Sequence, residues 1–122
     1  MRTIEGKIIE TLNGCNGEGV KQLSCRDRVE VDGNTKKYYL WGSLLFWNDA
    51  ENIYYFSFCG YSTNTTKSRL NAIFNYFNLG GFYQKNYVVY WVNNGSIKIE
   101  VDTTKKYKIV FFDNHAVKIE EV

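Results

Sequence analysis

Asp27-Arg28-Val29-Glu30-Val31-Asp32-Gly33-Asn34-Thr35, running on through Lys36-Lys37-Tyr38-Tyr39-Leu40-Trp41-Gly42, decides the fold class. Charged residues alternate with Val29 and Val31, the period of a strand with one wet and one buried face. Gly33-Asn34 is the kind of pair that folds such a strand back on itself. The segment predicts a hairpin whose second arm is Thr35 to Gly42. Ser43 to Trp47 and Ile53 to Cys59 are apolar and aromatic runs on either side of the polar turn Asn48-Asp49-Ala50-Glu51-Asn52. The four segments together predict an antiparallel meander.

Downstream the period changes. Leu70, Ile73, Phe74 and Phe77 fall at i, i+3, i+4 and i+7, which puts them on one face of a helix over about residues 66–78. Ser62 to Thr66 offers N-cap side chains in front, and Gly80-Gly81 predicts the stop behind. Burial of the four apolar side chains contributes about 1.5–3 kcal/mol each before entropy is counted. Strand patterns then resume at Phe82 to Gln84, Tyr87 to Val92, Ile97 to Val101, Tyr107 to Phe112 and Val117 to Val122, with Asn93-Asn94-Gly95 as a hairpin turn. Tyr87 to Val92 does not alternate, so both of its faces call for cover, and a partner subunit is expected to supply it. The expected fold is α+β: mostly antiparallel β meander and hairpins with one principal amphipathic helix, in a single domain over residues 1–122.

Composition narrows the function. Fifteen Lys and Arg against thirteen Asp and Glu leave a net charge of +2, short of the basic footprint of a duplex-binding domain, so no long nucleic acid is expected as a partner. Cys15, Cys25 and Cys59 are odd in number and lack zinc or redox spacing, which suits free, mostly buried thiols in a reducing cytoplasm. Arg2, Glu5, Lys7 and Glu10 interrupt the start, so no signal peptide is read, and no apolar run is long enough for a membrane span. The 3 Trp, 10 Tyr and 8 Phe stand out, as do 13 Asn, 3 Ala and no Pro. Low-GC coding accounts for part of the Asn and Tyr excess; the aromatic placement is a separate question of core, interface or ligand platform.

Catalytic constellations are weakly supported. His115, in the turn Asp113-Asn114-His115, has no partner in the pattern, and one His with scattered Cys does not make a standard zinc site. Glu100 and Asp102 fall on a wet strand face, and Glu120 and Glu121 near a chain end. No enzyme activity, metal or cofactor is expected. Anion binding reads better: Thr63-Asn64-Thr65-Thr66-Lys67-Ser68-Arg69 gathers hydroxyls and two cations at a helix start, where unpaired N–H groups and the dipole favour a phosphate. Ordinary capping explains the hydroxyls but not the cations Lys67 and Arg69. Phe82, Tyr83, Tyr90 and Trp91 are candidate stacking platforms, Asn93 and Asn94 candidate base or ribose readers, and Arg26 and Arg28 candidate phosphate forks. Each has a plainer alternative in core packing, turn formation or a solvated edge.

At Gly60-Tyr61-Ser62-Thr63-Asn64-Thr65-Thr66-Lys67-Ser68-Arg69-Leu70-Asn71, preceded by Tyr39-Leu40-Trp41-Gly42, the chain resembles small phage proteins, in particular the first type of Thoeris anti-defence protein. That resemblance implies a non-catalytic sponge in the host bacterial cytoplasm. It would bind glyco-cyclic ADP-ribose made by a TIR enzyme, as a homo-oligomer with pockets between subunits and with a separate site for cyclic oligonucleotides. It also implies Phe82 as the adenine stack, Arg28 as a phosphate contact and Asn93 or Asn94 at the ligand edge; Thr65, Thr66, Lys67 and Arg69 rest on the helix-start argument. Lys105, Lys106 and Lys108 are left without a role. The competing readings are a phage inhibitor that contacts a host defence or nucleic-acid complex directly, and a nucleotide hydrolase or lyase using Glu100, Asp102 or His115.

Overall fold

A computed structural model describes residues 4–14, 17–49, 51–93 and 97–122. The order of elements is α1 (Ile4–Leu12), β1 (Gly19–Gln22), β2 (Asp27–Asp32), β3 (Thr35–Leu40), β4 (Ser43–Asn48), β5 (Tyr54–Ser57), α2 (Asn64–Phe77), β6 (Gly81–Lys85), β7 (Val88–Val92), β8 (Lys98–Val101), β9 (Lys106–Phe112) and β10 (His115–Glu121). A seven-stranded sheet runs β1-β2-β3-β4-β5-β9-β10, and β6-β7-β8 forms a second, smaller sheet. Every strand pair is antiparallel, so the fold is α+β of the expected kind.

Strand alternation sorts the large sheet into two faces. Val29, Val31, Tyr38, Leu40, Phe46, Phe56, Tyr107 and Ile109 are buried on the inner face, where the helices and the small sheet pack. The core is largely aromatic: Phe46 and Phe56 meet Phe74 of α2 edge-on, and the Phe82 ring of β6 lies within 4.7–5.2 Å of Phe74, Phe56 and Phe58. Such pairs add about 0.5–1.5 kcal/mol each beyond the area they bury. Asn71 fastens α2 to the small sheet: its amide donates to the Phe82 carbonyl (3.1 Å) and accepts from the Phe82 N–H (2.7 Å).

Helix α2 begins at Thr63, whose hydroxyl accepts from the Thr66 N–H. It ends at Asn78, which adopts the left-handed conformation (φ 59). The glycine pair therefore does not terminate the helix. Gly80 is required for a different reason: a Cβ there would lie 2.5 Å from the Val92 carbonyl oxygen and 2.7 Å from the Trp91 indole nitrogen. That indole donates to the Leu79 carbonyl at 2.9 Å.

Two elements went unread in the sequence, α1 and the short edge strand β1. Ile8 and Leu12 of α1 are wholly buried. In strand β7, Val89 and Trp91 point into the core, while Val88, Tyr90 and Val92 are half-buried on the other side. Part of the cover on that side comes from its own sheet, where Tyr83 stacks on Tyr90 (5.3 Å) and the Lys98 ammonium sits over the Tyr90 ring (4.6 Å).

A buried polar cluster ties the helices to the sheet. Arg69 Nε donates to Asp27 Oδ1 at 2.9 Å, and Arg69 Nη1 reaches Glu5 Oε2 at 2.5 Å. Asp27, fully buried, also accepts from the Tyr38 hydroxyl and, at 2.6 Å, from Ser24. Burial alone raises the Asp27 pKa, but the bonds from Arg69, Ser24 and Tyr38 together with the Arg69 charge outweigh it, and the net shift is downward. A carboxylate with a depressed folded-state pKa adds stability that is present above its unfolded pKa, about 3.9, and lost as pH falls through the folded value. Asp27→Asn is expected to remove that part of the acid dependence in denaturant melts taken from neutral pH downward. Asp27→Ala, which leaves Arg69 buried without its partner, is expected to cost about 3–5 kcal/mol at neutral pH.

Candidate functional site

The turn between β3 and β4 and the start of α2 enclose a cleft of about 400 Å³, within the range typical of small-molecule sites. Leu40 and Leu45 form its apolar wall, Ser43, Thr63, Thr65 and Thr66 supply hydroxyls, and Trp41 and Tyr61 stand at its rim. Trp41 is 68% exposed and Tyr61 58% exposed. The hairpin turn requires two successive residues with positive φ, Trp41 (52°) and Gly42 (80°). A Trp in that conformation is strained by about 1–3 kcal/mol relative to the Gly or Asn usual there. No interaction with the core explains the choice, since the ring lies in solvent at the cleft mouth.

The cleft sits at the positive end of α2, which carries no acidic residue in its first turn. The Thr66 and Lys67 N–H groups are bonded by the Thr63 hydroxyl and carbonyl respectively. Asn64 and Thr65 hold the other first-turn amides, which helix geometry leaves without intrahelical acceptors. Thr63 and Thr66 hydroxyls are 2.9 Å apart, so the hydroxyls form one connected polar edge. The Asp27–Arg69 cluster supports this wall from behind: Leu40 is the register partner of Asp27, and Thr66 precedes Arg69 by one turn.

Of the residues singled out in the sequence as candidate contacts, Thr63, Thr65 and Thr66 line this cleft, and the others that the structure describes do not. Phe82 is 6% exposed and ringed by Phe56, Phe58 and Phe74, so its faces are occupied by core packing and not open to an adenine. Arg69 is consumed by Asp27 and Glu5, and Lys67 donates to the Gln84 side chain of β6. The two cations that appeared to need an external anion are thus satisfied within the chain. Arg28 is on the outer face of the large sheet, 4.1 Å above the Tyr39 ring and 3.5 Å from Glu30. Asn93 bonds its own hairpin, its Oδ1 accepting from the Ile97 N–H at 3.1 Å, and Asn94 lies outside the described residues, as does Cys15; against the expectation of mostly buried thiols, Cys25 is exposed and Cys59 half-buried. Lys105 pairs with Glu121 at 3.2 Å.

Of the carboxylates considered for catalysis, Asp102 and Glu121 both act on the Lys105 ammonium, Glu121 through an ion pair. Asp102 accepts from the Thr104 N–H and hydroxyl, and these bonds hold its carboxyl below the ordinary range. His115 is exposed at the start of β10. Among the described residues, no group of three or more His, Cys, Asp or Glu is placed to hold a metal ion. No helix among them is long and apolar enough to cross a membrane.

The family model described as Kyanoviridae Gp96 protein matches residues 1–120. The chain belongs to this family of phage proteins. No curated protein and no solved structure matches it. Trp41 and Tyr61 line the cleft of this phage protein, and neither carries a binding role in the reading of the sequence. The available signal was a bulky aromatic directly before Gly42 at a hairpin turn, where small or amide residues are the rule.

The core assignment of Phe82 has a direct consequence. Phe82→Ala is expected to lower stability by about 3–5 kcal/mol, read as a shifted denaturant midpoint. A variant with unchanged stability would return Phe82 to the candidate ligand contacts.

Proposed function

We propose that this phage protein is a non-catalytic binder of a small cyclic nucleotide signal, glyco-cyclic ADP-ribose in the reading drawn from the sequence resemblance. It would hold the signal away from a host defence effector in the bacterial cytoplasm. The single observation that carries the reading is the strained, solvent-facing Trp41 at the mouth of a hydroxyl-lined cleft at the start of a helix. An adenine ring stacks on Trp41 or Tyr61, and the phosphates or ribose hydroxyls meet Thr63, Thr65, Thr66 and the first-turn amides. Trp41 and Tyr61, and not the buried Phe82, take the stacking role. Because the cleft is open at the rim, a second subunit across it would complete the enclosure, in keeping with the expected homo-oligomer with pockets between subunits.

A second reading, direct contact with a host protein, draws on Tyr87, which is 96% exposed and left-handed (φ 67) at the β6–β7 turn. A Tyr87→Ala variant that loses anti-defence activity while still binding nucleotide would favour it.

Titration calorimetry with purified glyco-cyclic ADP-ribose tests the first reading. Saturable heat is expected, with the ligand recovered intact after denaturation. Trp41→Ala is expected to weaken binding by about 1–3 kcal/mol, the scale of one lost stack, without lowering the melting temperature. Absence of heat, or recovery of an altered ligand, would overturn the proposal.

A further inference from the structure

The outer face of the seven-stranded sheet carries a second aromatic platform, remote from the cleft. The helices and the small sheet pack against the inner, Phe46 side, and Trp47 and Tyr55 point the other way. These two residues are register partners on β4 and β5, and their rings stack at 5.5 Å with an interplanar angle of 7°. The Tyr55 hydroxyl donates to Asp49 at 2.9 Å, which fixes the ring in place. Both rings are only half-buried.

Cations flank the pair on each side in the same row. Lys37 of β3 is the register partner of Trp47, and Lys108 of β9 is the register partner of Tyr55; Lys106 lies opposite Ser57 one pleat along. Glu30 and Glu120 come next in the row on either side, but Glu30 is engaged by Arg28 (3.5 Å) and Glu120 by Lys118 (3.8 Å). Lys37, Lys106 and Lys108 have no ion-pair partner among the described residues. A further ring, Tyr39, lies on the same face beneath the Arg28 guanidinium.

We propose that this face binds single-stranded nucleic acid. Bases stack over Trp47 and Tyr55, and phosphates are met by Lys37 on one flank and by Lys108 and Lys106 on the other. Stacking platforms bracketed by cations on an open sheet are the general solution for unpaired strands, because every base offers a π-face. The spacing suits a strand. From β3 to β9 there are three interstrand steps, about 14 Å at 4.7–4.9 Å each, a span that several linked nucleotides cover with phosphates at both flanks. The modest charge of +2, which argues against duplex binding, is compatible with binding in which stacking supplies a large share of the affinity.

Fluorescence anisotropy with labelled oligothymidylate and oligouridylate of about twelve nucleotides, at about 50 mM salt, tests the proposal. Saturable binding is expected, far tighter than for thymidine monophosphate used as competitor. Trp47→Ala is expected to weaken it about tenfold or more, with Trp47→Phe restoring most of the loss. Lys108→Ala is expected to reduce the salt slope by about 0.7. Trp41→Ala, in the cleft, is expected to leave strand binding unchanged, so failure here is distinguishable from failure of the cleft reading. The proposal is overturned if neither strand binds saturably, if the monophosphate competes equally well, or if folded Trp47→Ala binds like the wild type. It also fails if the wild type sediments as a dimer that Trp47→Ala dissociates and that binds no strand, which would make the face a contact between copies. Should Trp47→Ala not fold, the Lys37→Glu, Lys108→Glu double variant carries the same expectation of lost binding, and retained binding overturns the proposal.

Discussion

The arrangement depends on one buried ion pair, Arg69 with Asp27. It joins the middle of α2 to the start of β2, and through Glu5 it draws in α1 as well. A charge buried in this way is expensive unless it is paired and fully hydrogen-bonded, and Asp27 accepts from Arg69, Ser24 and Tyr38 at once. Apolar packing alone would let α2 slide along a sheet face covered with interchangeable rings. The pair admits one register, and that register sets the first turn of α2 beside the β3–β4 turn. The cleft is the space left between them.

Around this fixed point the aromatic residues divide by face. Phe46, Phe56, Phe58, Phe74 and Phe82 fill the interior, where close-packed rings supply large buried area. Trp47, Tyr55 and Tyr39 form the outer surface of the large sheet, and Trp41 and Tyr61 the cleft rim. The high aromatic content of the chain thus serves core and surface together, and the two surface groups point away from each other. Tyr38 and Trp91 are also buried, and each satisfies its polar tip inside, Tyr38 on Asp27 and Trp91 on the Leu79 carbonyl.

Much of the fold was legible because its signals are local. Alternation at Val29 and Val31, the Gly33-Asn34 turn and the Leu70-Ile73-Phe74-Phe77 stripe each depend on residues within a few positions of one another. Helix α1 escaped notice because its stripe is short, Ile4, Ile8 and Leu12, and is read easily as a charged leader. The site was less legible, because what a polar residue does depends on partners far away in sequence. Arg69 looked like an unpaired cation at a helix start until Asp27, forty-two positions earlier, was brought beside it. Phe82 looked like a free ring after two glycines until β6 folded it onto Phe56 and Phe58. Thr65 and Thr66 belong to the helix start as the sequence indicates, yet one aromatic beside them, Trp41, comes from the turn between two other strands.

In the proposed function, the Trp41–Tyr61 cleft captures a nucleotide signal without altering it. The most direct measurement is mass spectrometry of the small molecules released on denaturing protein purified from cells that also produce the TIR-made signal. An intact cyclic nucleotide released by the wild type, and absent from an equally folded Trp41→Ala variant, is the predicted result. No nucleotide, a linear or cleaved product, or an equal yield from both proteins would contradict it.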